Sequence, residues 1–224
     1  MSDHRTRFLE LALRAQALRF GEFTLKSGRT SPYFFNAGRF DSGALLARLA
    51  GCYADAIAAA GTAGPAPGFD LLFGPAYKGI PLATALACEY AGRGRDLPLA
   101  FNRKEAKAHG EGGQLIGAPL AGRRVLIVDD VITAGTAIRE ALALIAAGGG
   151  TPAGIVIALD RQEAVDPATS RQSAAQAVAA EHAIPVIAVA TLADLLAFAG
   201  ESAELVGHRD ALRAYRARYG SQAD

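Results

Sequence analysis

Cysteine is scarce in these 224 residues. Only Cys52 and Cys88 occur, too few for a disulfide-dense framework, and neither has a metal-ligand partner beside it in sequence. An excess of one charge sign is also missing. The 23 lysines and arginines against 22 acids leave +1, with no long basic run, so nothing demands nucleic acid or an anionic membrane surface. No unbroken apolar run reaches the length of a membrane span. Asp3, His4, Arg5, Arg7 and Glu10 interrupt the region where a secretory leader would place its apolar segment. These absences lead us to expect a reducing, cytoplasmic location. Two nucleotide fingerprints are lacking as well. No G-x-x-x-x-G-K-[ST] occurs, which disfavours a phosphate-loop NTPase, and no G-x-G-x-x-G opens a helix after a strand, which removes the signature of dinucleotide binding. Nor is there a convincing Ser/His/Asp or Cys/His set, so the chain offers no obvious covalent nucleophile. No internal repeat and no low-complexity tract appear beyond general alanine enrichment.

What is present is a long α/β pattern. Half the residues are hydrophobic (51%), ample for a sizeable core in one domain, or one domain with a small appendage. Short apolar runs at 71–73, 97–101, 125–128, 155–159 and 186–189 read as strands. Residues 81–90, 138–147 and 170–182 read as the helices between them. The alternation predicts a mostly parallel sheet flanked by helices. Residues 3–18 read as an amphipathic helix and 43–60 as a second one, followed by the Gly/Pro-rich linker 61–68. Residues 192–198 and 209–219 read as surface-like helices. The expected division is an N-terminal hood with a covering segment at 1–66, a core at 67–200 and a helical extension at 201–224. Residues 105–119 fit neither period. Glycines mixed with Lys107, His109 and Glu111 suggest a long functional loop that closes on an anion.

The most informative segment is 125–139, VLIVDDVITAGTAIR. Four apolar residues make a strand buried on both faces. Asp129 and Asp130 follow at its carboxyl end, where open α/β sheets place ligands. Val131, Ile132, Thr133, Ala134, Gly135, Thr136 and Ala137 then lead into a helix, whose first N–H groups form an anion cradle at the positive end of its dipole. One loop thus offers acceptors for hydroxyls or hydrated metal and donors for a phosphate, which suits a sugar phosphate. A plain connection capped by Thr136 is the rival reading, but a turn has no need of two neighbouring carboxylates that repel each other.

Three further constellations stand out. The turn FGPAYKGIP at 73–81 puts Tyr77, Lys78 and two glycines at a helix start, a second place for an anion, although a tight turn with a solvated lysine would look the same. Arg103, Lys104, Lys107 and His109 could neutralise a departing anion once a loop excludes water, where the bland reading is an exposed charged loop. In 20–36, the aromatics can cover a planar base and Lys26 can meet an anionic group, against the alternative of a small aromatic core. An Asp-Arg pair closes the strand at 155–159, and Arg161 alone would more often be a surface ion pair.

Segment 125–139 closely resembles the signature of the type I phosphoribosyltransferases. The full set, LKSGRTSPYFFN, GPAYKGIP, FNRKEAKAHGEGG and VDDVITAGTA in this order, is similar to the members that use orotate, over about 7–199. The resemblance implies the type I phosphoribosyltransferase fold and transfer of ribose 5-phosphate from phosphoribosyl pyrophosphate to orotate. It further implies release of pyrophosphate and formation of orotidine 5′-monophosphate in pyrimidine synthesis. It implies that Asp129 and Asp130 meet the ribose and that Thr133 to Ala137 hold its 5′-phosphate. Lys26, Tyr77, Lys78, Arg103, Lys104, Lys107 and His109 complete the donor site, with Lys104, Lys107, His109 and the two aspartates carrying the chemistry. Phe34, Phe35, Thr133 and Arg161 are assigned to orotate, Arg161 meeting its carboxylate. Mg²⁺ is implied mainly through substrate and water near Asp129 and Asp130, with no certain direct ligand. A homodimer is implied too, in which loop 103–117 reaches the neighbouring site. The alternatives are a purine-type phosphoribosyltransferase and an RNA-binding regulator built on the same fold.

Overall fold

The computed structural model describes residues 3–25, 27–63, 68–107, 113–166, 170–202 and 205–221. Helix α1 (His4–Arg14) leads into the hairpin β1 (Leu18–Thr24) and β2 (Thr30–Phe35), and then into α2 (Gly43–Ala63). Next come β3 (Leu71–Gly74), α3 (Gly79–Gly92), β4 (Leu99–Lys107), β5 (Gly113–Gly117), β6 (Arg124–Asp129), α4 (Thr136–Ala147) and β7 (Thr151–Asp160). A small hairpin, β8 (Ala164–Asp166) with β9 (Ser170–Ser173), precedes α5 (Ala174–His182) and β10 (Val186–Thr191). Helices α6 (Leu192–Glu201) and α7 (Arg209–Tyr219) follow. Among the described residues the main sheet has the order β10-β7-β6-β3-β4-β5, parallel except for the edge strand β5. This is the mostly parallel, helix-flanked sheet expected from the alternation of apolar runs.

The two-residue period of the strands sorts the core into two layers. Leu72, Leu126, Val128, Val156 and Ala158 face a cluster built with α1, α2, α3 and α6. Leu71, Phe73, Val125, Ile127, Ile155 and Ile157 face α4 and α5 through Ile138, Ala141, Ile145 and Val178. Because both faces are covered, β6 and β7 read as continuous apolar runs. Helix α2 belongs to the first layer and packs along α3. Gly43–Thr62 is long and apolar enough to cross a membrane (mean hydropathy 1.3), yet Leu49, Cys52, Tyr53, Ala56 and Ile57 are buried in this core.

Several boundaries depart from expectation for identifiable reasons. The first helix stops at Arg14 because Gln16 takes a positive φ of 53° and the Ala17 N–H turns back to the Leu11–Ala12 turn, donating to Ala12 at 2.8 Å. The helix expected from 170 starts only at Ala174: Ser173 and Gln176 form a reciprocal capping box, and Ser170–Ser173 is strand. Of the C-terminal helices, α6 is not surface-like, since Leu192, Leu195 and Ala199 are fully buried, whereas α7 buries only Leu212 and Tyr215 and exposes most of its other residues. Residues 105–119 are not one long loop. Strand β4 runs on to Lys107 and returns as β5, pairing Lys107 with Gly113 and Asn102 with Leu115. Gly117 lets the two strands approach: its φ is +100°, and a Cβ there would lie 2.3 Å from the Leu99 carbonyl oxygen. Gly117→Ala is therefore expected to destabilise the fold by roughly 2–4 kcal/mol, measured by chemical denaturation.

Candidate active site

The order of the strands creates a crevice. From β3 the chain moves on to β4 on one side, and from β6 to β7 on the other. The loops after β3 and β6 therefore face each other across the point where the winding reverses, the position at which open sheets hold ligands.

Strand β6 ends in the acidic pair. Asp129 and Asp130 are only 7% and 6% exposed. The Tyr53 hydroxyl from α2 donates to the Asp129 carbonyl oxygen at 2.8 Å, and the Ala158 N–H of β7 donates to the Asp130 carbonyl oxygen at 2.9 Å. These bonds fix the backbone. The Asp130 N–H donates to Oδ1 of Asp129 at 2.9 Å. Desolvation, reinforced by the neighbouring Asp130, pushes the Asp129 carboxyl up to about 7. Across the crevice, Nζ of Lys78 lies 2.7 Å from Oδ2 of Asp130, so the two loops are already joined by one ion pair.

The loop at 75–78 is held by its glycines. A Cβ on Gly79 would stand 2.6 Å from Pro75 Cδ and 2.7 Å from the Val128 carbonyl oxygen, and one on Gly74 would stand 2.4 Å from the Gly79 carbonyl oxygen. Only glycine permits this approach. The peptide between Ala76 and Tyr77 is cis, and the Ala76 N–H donates to Oδ1 of Asn102 on β4 at 2.9 Å. Tyr77 is two-thirds exposed (67%), with Nζ of Lys104 5.2 Å from its ring centroid. Lys78, Tyr77 and Lys104 thus gather on one flank.

On the other flank, Thr133, Ala134, Thr136 and Ala137 are exposed. Gly135 is left-handed (φ +74°) and begins α4 without a side-chain cap. The first N–H groups of α4 are consequently left for a ligand at the positive end of the helix. Arg139 steadies this loop: its Nη1 donates to the Ala134 carbonyl oxygen at 2.8 Å, and its Nη2 meets Glu181 of α5 at 2.7 Å.

A third wall comes from the β1–β2 hairpin. Phe34 and Phe35 point to opposite faces of β2. Phe34 packs against Phe23 at a centroid distance of 5.5 Å, while Phe35 is buried between Phe8 and Phe40. The Phe35 ring belongs to the core, so of the two phenylalanines assigned to the base only Phe34 has a ring to present. Anything Phe35 contributes comes from its main chain. Arg161, just past β7, ties the hairpin to the sheet, since its Nη2 donates to Ser31 Oγ at 3.1 Å. Arg161 is not a surface ion pair; it is largely buried and bound to Glu163. Arg103 lies at the β4 end of the site, half-buried. Lys26 and His109 fall outside the described residues, as does the side chain of Lys107. Asn102, Tyr53, Ser31, Tyr33 and Glu163 were not singled out from sequence. The two-residue period of β2 would have placed Ser31, Tyr33 and Phe35 on one face.

Among the described residues no group of three or more His, Cys, Asp or Glu side chains could cage a metal. A desolvated acidic pair beside a loop for phosphates fits Mg²⁺ in its usual manner, held by one or two carboxylates, water and substrate oxygens.

Comparison with known proteins decides the family. Residues 66–176 match the phosphoribosyl transferase domain. The chain is 78% identical to an orotate phosphoribosyltransferase of Xanthomonas campestris over 221 residues, 99% of this chain and 98% of that one. The corresponding figure for Stenotrophomonas maltophilia is 73%, covering 98% of both chains. A crystal structure of orotate phosphoribosyltransferase from Francisella tularensis superposes with a TM-score of 0.83 at 42% identity, covering 96% of this chain and 99% of that one. The chain belongs to the orotate phosphoribosyltransferase family. In this phosphoribosyltransferase the matched domain spans β3 to the start of α5. It therefore contains both crevice loops, the β4–β5 hairpin and Arg161, while the β1–β2 wall precedes it.

Proposed function

We propose that this enzyme transfers the ribose 5-phosphate group of phosphoribosyl pyrophosphate to orotate, releasing pyrophosphate and forming orotidine 5′-monophosphate for pyrimidine nucleotide synthesis. The observation that carries the reading is the β3/β6 crevice. An acidic pair, an uncapped helix start and a lysine loop surround one space, in a chain 78% identical to an orotate phosphoribosyltransferase.

Each residue then has a role set by charge. Cleavage of the C1–O bond leaves positive charge on the ribose and negative charge on the departing diphosphate. Asp129 and Asp130 accept hydrogen bonds from the ribose hydroxyls and favour the cationic ring. The N–H groups around Gly135 and the hydroxyls of Thr133 and Thr136 hold the 5′-phosphate, fixing the ring in the crevice. Lys78, Arg103, Lys104, Lys107 and His109 attract the diphosphate from the β3 side. Mg²⁺, bound by the diphosphate beside Asp129 and Asp130, would add positive charge to the leaving group. Orotate's own ring nitrogen attacks C1, so the chain needs no nucleophile. Phe34 and Thr133 border the base, and Arg161 meets its carboxylate, a pairing suited to the guanidinium fork.

We extend the same reading to a homodimer in which the segment 103–117 closes over the neighbouring subunit's site. The free thiols of Cys52 and Cys88 suit a reducing, cytoplasmic compartment. Lys107→Ala is expected to lower kcat by about 10²-fold while changing the KM for orotate little, measured by steady-state kinetics. A raised KM with unchanged kcat would contradict the lid role. The function itself is tested by following orotate's ultraviolet absorbance with phosphoribosyl pyrophosphate and Mg²⁺ present, and by offering adenine or hypoxanthine instead. Orotate-dependent pyrophosphate release is expected; release with a purine alone would show a purine-type enzyme.

A further inference from the structure

Arg161 is held unusually well for a residue that must meet a ligand. Its Nε donates to Oε1 of Glu163 at 2.8 Å, and its Nη2 lies 2.6 Å from the same oxygen. Nη2 also donates to Ser31 Oγ at 3.1 Å. The Ser31 hydroxyl in turn donates to the Tyr33 carbonyl oxygen at 2.8 Å, so its lone pair is turned toward the arginine. One face of the guanidinium lies over the Tyr33 ring, with Cζ 4.3 Å from the centroid. Arg161 and Glu163 are 13% and 15% exposed, and Tyr33 is packed edge-on by Tyr215 of α7. The bonds to Glu163 and Ser31 are made from Nε and Nη2, and the Tyr215 hydroxyl lies close enough to interact with both Arg161 and Glu163.

Resting on the orotate reading, we infer that Glu163 is a positioning and specificity residue. It binds the Nε–Nη2 edge of Arg161, fixes the guanidinium plane against Tyr33, and leaves the Nη1 end aimed at the carboxylate that distinguishes orotate from uncarboxylated pyrimidines. Two physical points support this. A planar fork gains specificity only when its orientation is fixed before the ligand arrives. Glu163 also neutralises the buried guanidinium, so a base without a carboxylate gains little at this position, whereas a carboxylate in line with Nη1 gains a directed, charge-assisted bond. The loop carrying Glu163 is itself anchored. Glu163 forms a β-bridge with Gly220, the Ser221 N–H donates to the Gln162 carbonyl oxygen at 2.7 Å, and Arg29 Nη1 donates to the Ala164 carbonyl oxygen at 3.1 Å. The C-terminal segment after α7 and the β1–β2 turn therefore hold the acid that holds the arginine.

The test is steady-state kinetics with orotate and with uracil for the wild type, Glu163→Gln and Glu163→Ala. Glu163→Ala is expected to raise the KM for orotate about tenfold or more, leave the KM for phosphoribosyl pyrophosphate within about twofold, and shrink the preference for orotate over uracil. Glu163→Gln keeps an oxygen for Nε to donate to but leaves the guanidinium charge unbalanced, so it is expected to lower stability while keeping the KM for orotate within about threefold of wild type. Should the alanine variant not fold, Glu163→Asp, which keeps the charge but withdraws the acceptor, is expected to raise the KM for orotate in its place. An unchanged KM for orotate in the alanine variant, or in the aspartate variant used in its place, overturns the inference. So does a parallel rise of both KM values that glutamine fails to rescue. A wild type that does not consume orotate overturns the functional reading and the inference with it; an active wild type with unaffected variants overturns the inference alone.

Discussion

Asp129→Asn is expected to raise the melting temperature of the ligand-free enzyme while lowering turnover by about 10²-fold or more. The opposite signs have one cause. Asp129 is 7% exposed beside Asp130, and burial plus that neighbour push its carboxyl from 3.8 to about 7. A carboxyl whose folded value is raised above its unfolded one binds its proton more tightly in the native state. Stability is therefore greatest below the unfolded value and declines as pH rises toward 7, by up to about 1.4 kcal/mol per unit. Asparagine has no proton to lose, so its advantage should widen between pH 5 and pH 8, at about 2–4 °C per kcal/mol for a chain of this size. Phosphoribosyl pyrophosphate with Mg²⁺ should remove that advantage by bringing positive charge to the pair in the wild type. Adding Asp130→Asn should deepen the loss of turnover and leave the fold intact. Thermal melts across pH, with and without substrate, check the first part and initial rates the second; a variant that is less stable at pH 8, or fully active, contradicts this account of the pair.

Arg161 carries the second large effect. Arg161→Lys is expected to reduce kcat/KM for orotate by about 10²-fold, because an ammonium cannot hold Glu163, Ser31 and a carboxylate in one plane. Arg161→Ala removes the partner of Glu163, which is only 15% exposed, and is expected to destabilise the protein by roughly 3–5 kcal/mol. Kinetics for the lysine variant and denaturation for the alanine variant separate binding from stability. Near-wild-type kcat/KM for orotate in Arg161→Lys would remove Arg161 from the base site.

The parts of this architecture that were legible in sequence are those fixed locally. A β6 buried on both faces must be continuously apolar, and the small residues after Asp130 lead to a helix start without a side-chain cap, so 125–137 announces both the strand and the turn that follows it. The turn that carries Tyr77 and Lys78 was legible for the same reason, the glycines around it being demanded by the close approach of Pro75 and Val128. The hairpin β4–β5 was not. Its outer half, Arg103 to Lys107, is polar because it runs to an edge, and its strand character comes from pairing with residues on the far side of the tip. The rings of Phe34 and Phe35 could not be told apart in sequence because two adjacent aromatics look alike until β2 assigns them to opposite faces. Glu163 and Ser31 escaped notice because their significance lies in Arg161, 130 residues from Ser31 along the chain.

The most direct test of the crevice is calorimetric titration of the purified enzyme with phosphoribosyl pyrophosphate in the presence of Mg²⁺, repeated with the Asp129→Asn/Asp130→Asn variant. Saturable binding at one site per chain, weakened in the variant, is the expected result. A wild type with no measurable affinity for this donor, or a variant that binds it equally well, would contradict the assignment of the β3/β6 crevice as the site where the activated ribose is held.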